Sequence, residues 1–586
     1  MRPAPAARAA PAPWARTGLL LLAAATATLA IVSRGRWSDA LIDSGREWIV
    51  PDALSRGALL YRDVVYWFGP FTPYFHAAMF RLFGSGFGTL VVAGALACAA
   101  IVAALFFALQ RVTGRREAAL WCAFAIPSLL FMPNAGGALL GMGYRIWHAA
   151  FFALLTVTLA TGAPRREGSV LRPVLAGVAA GLAGLCRTEW GAAALAAGLH
   201  AAFWRPRATR RGVADAVVLG VAFLAVFGGG IAAFAAAAGP RAVFDEGHLL
   251  FSRLPAETRN FLVHFSGVRD WPRGLAELVY SLAMWCGAFY LVETLALGKD
   301  ALRRRAATLA GIVVVLAAAA LAGGAGGSVL WSAGPAVSLL ALAAGLARGR
   351  CGRAAALGAF GFLGLVLCYR RLFHIGDSAY TGPPLLFAFV SAAGLLRLRV
   401  LRIASGLARE RVRTAFAVLL VFATVAAFAG RLARFASWEA SPIAGTHGFL
   451  TDRAEVAREI EGLAQSIRAA TPPGSGLVVF PEGELLNFLS GQPNPIRHML
   501  YLPGYLTDDN EEEVLRELEA HPPGAVVLWR RPLSEYHRAL FGYDYGKKIR
   551  AWIDRHYAIS GYRAPGAPER TNPRFEWGPR RPGAAS

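Results

Sequence analysis

The chain has 586 residues, 56% of them hydrophobic and only 17% charged, with a mean hydropathy of +0.44, well outside the usual soluble range. The formal net charge is +23, from 60 lysines and arginines against 37 aspartates and glutamates. Such an excess would suit nucleic acid, but its arginines fall in short gaps between apolar runs, which makes it a topology signal and argues against a nucleic-acid partner.

Arg2, Arg8 and Arg16 precede an apolar run at 17–33. Ser33-Arg34-Gly35-Arg36 offers no small-residue cleavage site, so the run reads as a first membrane span rather than a removed signal peptide. Similar runs recur to about residue 430, each roughly 15 to 25 residues long and able to cross a hydrocarbon core about 30 Å thick as a helix. They do not alternate in polarity, which excludes an outer-membrane barrel and predicts a bundle of helices.

The short basic gaps, among them Arg115-Arg116, Arg165-Arg166, Arg205 to Arg211, Arg303 to Arg305 and Arg397 to Arg413, are cytoplasmic by the positive-inside rule. Alternation then places 35–70, about 132–147, Cys186 to Trp190, 239–275, 369–381 and everything after about 431 outside. The segment 71–84 is too short to span comfortably and is taken as interfacial, leaving about 13 spans. The six cysteines show no disulfide framework and no metal-ligand spacing. No internal repeat stands out.

Charge density rises sharply near Arg431. Beyond it come a helical pattern at Thr451 to Ala470, a Pro-Pro-Gly turn at 472–474 and an apolar strand at Leu477 to Phe480. A second helix near Asn510 to Ala520 leads through another Pro-Pro-Gly into a strand at Ala525 to Trp529, and a helix follows at Lys547 to Tyr557. The fold class predicted is therefore an α-helical polytopic membrane protein with a small C-terminal α/β domain outside the cytoplasm. Its divisions are a transmembrane domain over 1–430, whose first outer loop is about 35–70, the α/β domain over 431–565, and a disordered Pro/Arg/Gly-rich tail over 566–586.

The first outer loop packs Asp39, Asp43, Arg46, Glu47, Asp52, Arg56, Arg62 and Asp63 beside an apolar helix. Asp43 lies about nine residues past the end of the first span, at the membrane boundary, where a lipid-linked substrate would present its reactive carbon. Helix, turn, short extended piece and a proline-opened interfacial helix would fold Asp63 back toward Asp43, with Arg46 and Arg62 available to hold a phosphate bidentately. Blander roles fit the same residues: Asp43 as a helix N-cap, Asp63 in a solvated pair with Arg62 or Arg56, and Glu189 satisfied by Arg187. Arg145 and His148 follow Gly143-Tyr144 as candidate phosphate contacts, and Arg371 and His374 stand in a later outer loop. Asp245, Glu246 and His248 form no metal-like spacing.

The order Asp43, Gly57, Tyr61-Arg62-Asp63, Gly69-Pro70, Pro73-Tyr74 and Leu82-Phe83-Gly84 resembles the first periplasmic loop of the GT-C glycosyltransferases. It is most similar to the bacterial family-39-like branch related to protein mannosyltransferases and lipid A aminoarabinose transferases. Arg187-Thr188-Glu189 and Arg371 to His374 resemble later polar tips of that family. Phe480-Pro481-Glu482-Gly483, Asn487-Phe488-Leu489 and Phe541 to Gly546 are similar to C-terminal blocks on such enzymes.

The resemblance implies a multi-pass inner-membrane transferase, N-terminus cytoplasmic and C-terminal domain periplasmic, moving a hexosyl or pentosyl group from a polyprenyl-phosphate donor to an acceptor hydroxyl. The acceptor would be a lipid, a glycan or a protein. It also implies Asp43 as the essential acid. Where the family often has Asp-Glu, this chain has Asp43-Ser44, so a second acid must come from elsewhere, Asp39 or Asp63 being the candidates. Asp43 would act as general base, arginines would stabilise the departing phosphate, and attack opposite it would invert the anomeric centre. The site set is thus Asp43 and Asp63 as catalytic acids, with Arg46, Arg62, Arg145, Glu189, Arg371 and His374 binding donor or substrate. No cofactor and no dedicated metal site is expected, a weakly held divalent cation aside. Rival readings are a lipid-linked glycan polymerase or ligase, and a transporter or flippase; the latter lacks matching interrupted halves.

Overall fold

A computed structural model describes residues 13–36, 40–131, 143–162, 169–204, 209–246, 328–348, 352–368, 378–400, 406–438, 440–563 and 574–583, with isolated positions between 256 and 287. Helix α1 runs Pro13–Val32 and α2 Gly45–Ser55. Then come α3 Phe71–Phe83, α4 Phe87–Val112, α5 Arg115–Ala125 and α6 Tyr144–Ala160. The series continues with α7 Leu171–Cys186, α8 Thr188–Phe203, α9 Thr209–Phe223 and α10 Gly229–Ala238. Further apolar helices occupy Ser328–Ala347, Gly352–Leu367, Ser378–Val400 and Gly406–Ala436.

Among the described residues three helices are long and apolar enough to cross a membrane, Phe87–Val112, Arg211–Ala238 and Arg413–Ala436, and six shorter apolar helices accompany them. On the last of the three, Val418, Leu419, Phe422 and Val425 are exposed. A contiguous apolar surface of that kind belongs against lipid, and this is a membrane protein. Helices pack closely where side chains are absent: a Cβ on Gly191 of α8 would run into the Gly184 backbone of α7.

Helix α3 is 13 residues long and packs mainly on α2, with a smaller contact to the long α4. Its Arg81 donates to the Leu54 and Ser55 carbonyls, both at 3.0 Å, satisfying acceptors that the end of α2 leaves open. The Trp48 indole donates to Ser85, whose hydroxyl donates to Asp52, at 2.9 and 2.7 Å. The first loop is thereby a rigid helical hairpin lying across the start of α4.

After residue 440 a short antiparallel pair, β1 Ser441–Pro442 and β2 Thr451–Asp452, precedes a helix at Ala454–Ala470. Strands β3 Leu477–Phe480, β4 Ala525–Trp529, β5 Ser560–Tyr562 and β6 Phe575–Pro579 form one sheet of order β3-β4-β6-β5. Strand β3 runs parallel to β4, the chain crossing between them through helices Leu485–Ser490 and Glu511–Ala520, and β6 is antiparallel to both its neighbours. The parallel pair β3 and β4 is buried throughout, as their unbroken apolar runs require.

Strand β6 corrects the expected disordered tail. Its Phe575 is fully buried, and Glu576 takes Arg550 at 3.0 Å and also pairs with Arg530. The Pro/Arg/Gly bias of 566–586 concealed a five-residue strand that needs β4 beside it.

The C-terminal region seats on the first loop. Phe488 inserts between Trp48 of α2 and Phe87 of α4, with ring centroids 4.9 and 4.8 Å away. Val65 donates its backbone N–H to the Arg497 carbonyl at 2.9 Å. At the far end of α4 the basic residues gather instead: Glu117 takes Arg397 and, at 3.2 Å, Arg413.

Candidate active site between the first loop and the C-terminal region

Asp43 belongs to a short wide-helical turn, Ala40–Ser44, that runs straight into α2. The N-cap position is Ser44, without a side-chain cap, so Asp43 does not cap the helix. It is 8% exposed and acts electrostatically on Arg46 and Glu482. The helix here touches the C-terminal region backbone to backbone. A Cβ on Gly45 would lie 2.7 Å from the Glu484 carbonyl carbon and run into the Leu485 nitrogen, so only glycine permits this approach.

Arg46, the next residue, points into that contact. Its guanidinium donates to Glu482 Oε2 at 2.8 Å, and Arg531, just past β4, donates to Glu482 Oε1. Burial works against the Arg46 charge, but Glu482, Asp43 and Glu484 together hold its pKa above the ordinary arginine value. Burial likewise pushes the Glu482 carboxyl up to about 8 against the pull of both guanidiniums. Glu484, also buried, is raised by desolvation despite Arg46 and the Gly483 N–H.

Above this cluster opens a cavity of about 380 Å³. Arg46, Tyr66, Trp67, Phe68, Glu484 and Tyr505 are among the residues that line it, so its walls come from both the first loop and the C-terminal region. Trp67 and Tyr505 stack across the junction, ring centroids 3.3 Å apart and planes 13° from parallel. The size and the mixture of aromatic wall with a few convergent charges are those of a small-ligand site.

Behind Phe68 a second charged group converges. The Arg145 guanidinium sits over the Phe68 ring at 3.6 Å, and Arg187 approaches the same ring at 5.8 Å. Glu47 holds Arg145 at 3.6 Å and accepts the Gly143 N–H at 3.2 Å, tying α2 to the start of α6; burial raises its carboxyl despite Arg145. Glu189 pairs with Arg187 at 2.5 Å. Tyr66 lies within the fields of Arg145, Glu47 and Arg46, so the two groups share one centre.

Of the predicted site residues that the structure describes, Arg46 alone lines the cavity; Asp43 acts on Arg46 electrostatically, Arg145 stands behind the lining residue Phe68, and Glu189 pairs with Arg187 on the same ring. The structure leaves Asp63 and Arg62 aside. Arg62 pairs with Asp63 at 2.8 Å on an exposed turn, Asp63 also accepts the Leu59 N–H at 2.8 Å, and neither residue lines the cavity. The Arg62 guanidinium holds Asp63 below its ordinary pKa, as expected of a turn-closing surface pair. Arg371, His374 and Asp39 lie outside the described residues.

Glu482, Glu484 and Arg531 come to the site from more than 400 residues beyond Asp43 in the sequence. The signal for two of them was the Pro481-Glu482-Gly483-Glu484 run directly after a buried strand, a place where acids are otherwise costly. His498, Glu513 and Glu517 offer ligand atoms within 4.8 Å of one another beside the cavity. Arg497 already stands 3.7 Å from both glutamates, supplying the positive charge there.

Solved structures share this architecture. The apo structure of ArnT from Cupriavidus metallidurans, a lipid A aminoarabinose transferase, matches with a TM-score of 0.54 at 12% identity, over 96% of this chain and 98% of that one. The Archaeoglobus fulgidus oligosaccharyltransferase tethered to an acceptor peptide matches with a TM-score of 0.50 at 13% identity, over 95% of this chain and 73% of that one. Its apo form gives 0.50 at 15%, over 88% and 69%. Both proteins are GT-C superfamily members, and at these identities what is shared is the fold. No family model matches the sequence, and no characterised protein matches it by sequence.

Proposed function

We propose, on the premise of the GT-C fold, that this protein is an integral membrane glycosyltransferase that moves a sugar from a polyprenyl-phosphate carrier to an acceptor hydroxyl outside the cytoplasm. The observation that carries the proposal is the cavity of about 380 Å³ at the mouth of the first loop, with Arg46 in its wall and Asp43 within electrostatic reach of that arginine. In a helical membrane protein of roughly 13 spans, with the arginine gaps inside, that cavity faces the periplasm.

Charge accounts for the division of labour. A glycosyl phosphate leaves with its own negative charge, so the reaction needs a cation at the departing phosphate and a base for the acceptor hydroxyl. Arg46, held charged by three carboxylates, supplies the first through a planar fork suited to phosphate. Arg145 backs it from behind Phe68. Asp43 supplies the second, worth on the order of 10² to 10⁴ in rate, its reach to the hydroxyl closing when substrate enters. Attack from the face opposite the phosphate inverts the anomeric carbon. Arg371 and His374 belong to the proposal as further substrate contacts.

Mass analysis of envelope glycans and lipids from cells with and without the gene tests this reading. A sugar that disappears from one component on deletion and returns with the wild-type gene is expected. An unchanged envelope sinks the transferase assignment and turns attention to transport of a lipid-linked substrate.

A further inference from the structure

Two polar side chains face the same cavity from opposite parentage, Arg46 from the first loop and Glu484 from the C-terminal region. Their situations differ. Arg46 is paired with Glu482, whereas Glu484, only 4% exposed, makes no ion pair among the described residues, and its Oε1 has no hydrogen-bond partner there. Its other oxygen accepts the Gly483 N–H at 3.3 Å, and the carboxylate is also held by the backbone N–H of Glu484 itself. An acceptor left unmatched in a buried place costs about 1 to 3 kcal/mol, more when charged, so a fold keeps one where a ligand supplies the donor.

The geometry points to Glu484 as the sugar-binding carboxylate of this site, accepting a hydroxyl of the glycosyl group whose phosphate Arg46 holds. The inference rests on the transferase reading above and adds a residue that the first loop does not contain.

The chemistry of the cavity selects that ligand. A carboxylate repels a phosphate and gains nothing from a lipid tail, so the partner of Oε1 must be an O–H or N–H donor. Arg46 feels the field of Glu484, so an anion-binding pole and a donor-seeking pole stand side by side. A glycosyl phosphate has the matching order, an anion next to a ring of hydroxyls. The stacked Trp67 and Tyr505 give the flat wall against which such a ring lies. The Glu484 backbone is packed against Gly45 of the first loop, so Oε1, which lies beneath the cavity surface, reaches the ligand by rotation of the side chain alone. The raised pKa of Glu484 agrees with a group kept dry for this purpose. Glu519, an exposed acid on the helix Glu511–Ala520 that does not line the cavity, serves as the control.

The test uses the full-length protein in membranes of a strain deleted for the gene, scored on the envelope component that wild type alters. Glu484→Met keeps side-chain length and removes the acceptor; Glu484→Gln keeps an oxygen and removes the charge. Transfer by Glu484→Met should fall about ten- to a hundredfold, the range of a hydrogen bond to a charged group, through a higher KM for the donor, with Glu484→Gln intermediate. The Tm of both purified variants should equal or exceed that of wild type, since an unmatched buried acceptor has gone, and Glu519→Gln should transfer normally. Full transfer by Glu484→Met, or a loss of transfer accompanied by a lower Tm, overturns the inference while leaving the transferase reading intact. A wild-type protein that alters no envelope component overturns both.

Discussion

Arg46 and Glu482 lie 436 positions apart in sequence and meet at 2.8 Å, one on the first turn of α2 and the other just after β3. With Arg531 on its second oxygen, Glu482 is the pin that fastens the C-terminal region to the first loop. Replacing it with alanine leaves two mostly buried guanidiniums without their acceptor. Glu482→Ala should destabilise the protein by about 1 to 3 kcal/mol, the range for leaving buried donors without their acceptor. Denaturant unfolding in detergent measures it, and a loss under about 1 kcal/mol contradicts the pinning role.

The same residue imposes a pH dependence. An unfolded glutamate titrates at about 4.3, whereas the folded Glu482 is pushed up to about 8 by burial. Between those values the native state holds a proton that the unfolded chain has released. The contribution of this group is therefore full below the ordinary glutamate range and is lost as pH rises through about 8. Wild-type Tm should fall from pH 5 toward pH 8, and Glu482→Gln, which does not titrate, should fall less. Parallel curves for the two proteins would exclude Glu482 as the source.

The two candidate acids of the first loop should separate cleanly. Asp43→Asn should lower transfer by on the order of 10² to 10⁴ while the protein still inserts. Asp63→Asn breaks only an exposed pair with Arg62 and a turn hydrogen bond, so its stability should change by no more than about 1 kcal/mol, with transfer retained. Envelope mass analysis of the two variants decides. The opposite ranking would move the base to the exposed turn.

Gly45→Ala tests the docking itself. The added methyl meets the Leu485 nitrogen and the Glu484 carbonyl carbon, both backbone atoms that cannot rotate away. A cost of about 1 to 3 kcal/mol from overpacking is expected, with faster proteolysis near residue 484. Wild-type Tm and cleavage rate would show the approach to be looser than described.

Much of the candidate site was readable because charge beside an apolar helix is expensive and therefore conspicuous. Asp43, Arg46 and Arg145 were all named at sequence level; the structure brings Arg46 and Arg145 together around Phe68 and Tyr66, and sets Asp43 within the field of Arg46. Asp63 was named by the same contrast and stands elsewhere. A carboxylate next in sequence to an arginine closes a turn as readily as a site, and only the Leu59 hydrogen bond shows which.

Local hydrophobicity was enough to specify a helical membrane body with basic gaps between its apolar runs, and the buried strands Leu477–Phe480 and Ala525–Trp529 beyond it. It also marked the charged first loop as the place for chemistry. What completes that loop came from long-range packing. Strand β6 emerged from a biased tail because its pairing energy comes from β4, and Glu482 and Glu484 reached Arg46 because Gly45 lets two backbones touch. Such contacts between distant residues leave no periodicity in the chain, since each depends on where the other segment has folded.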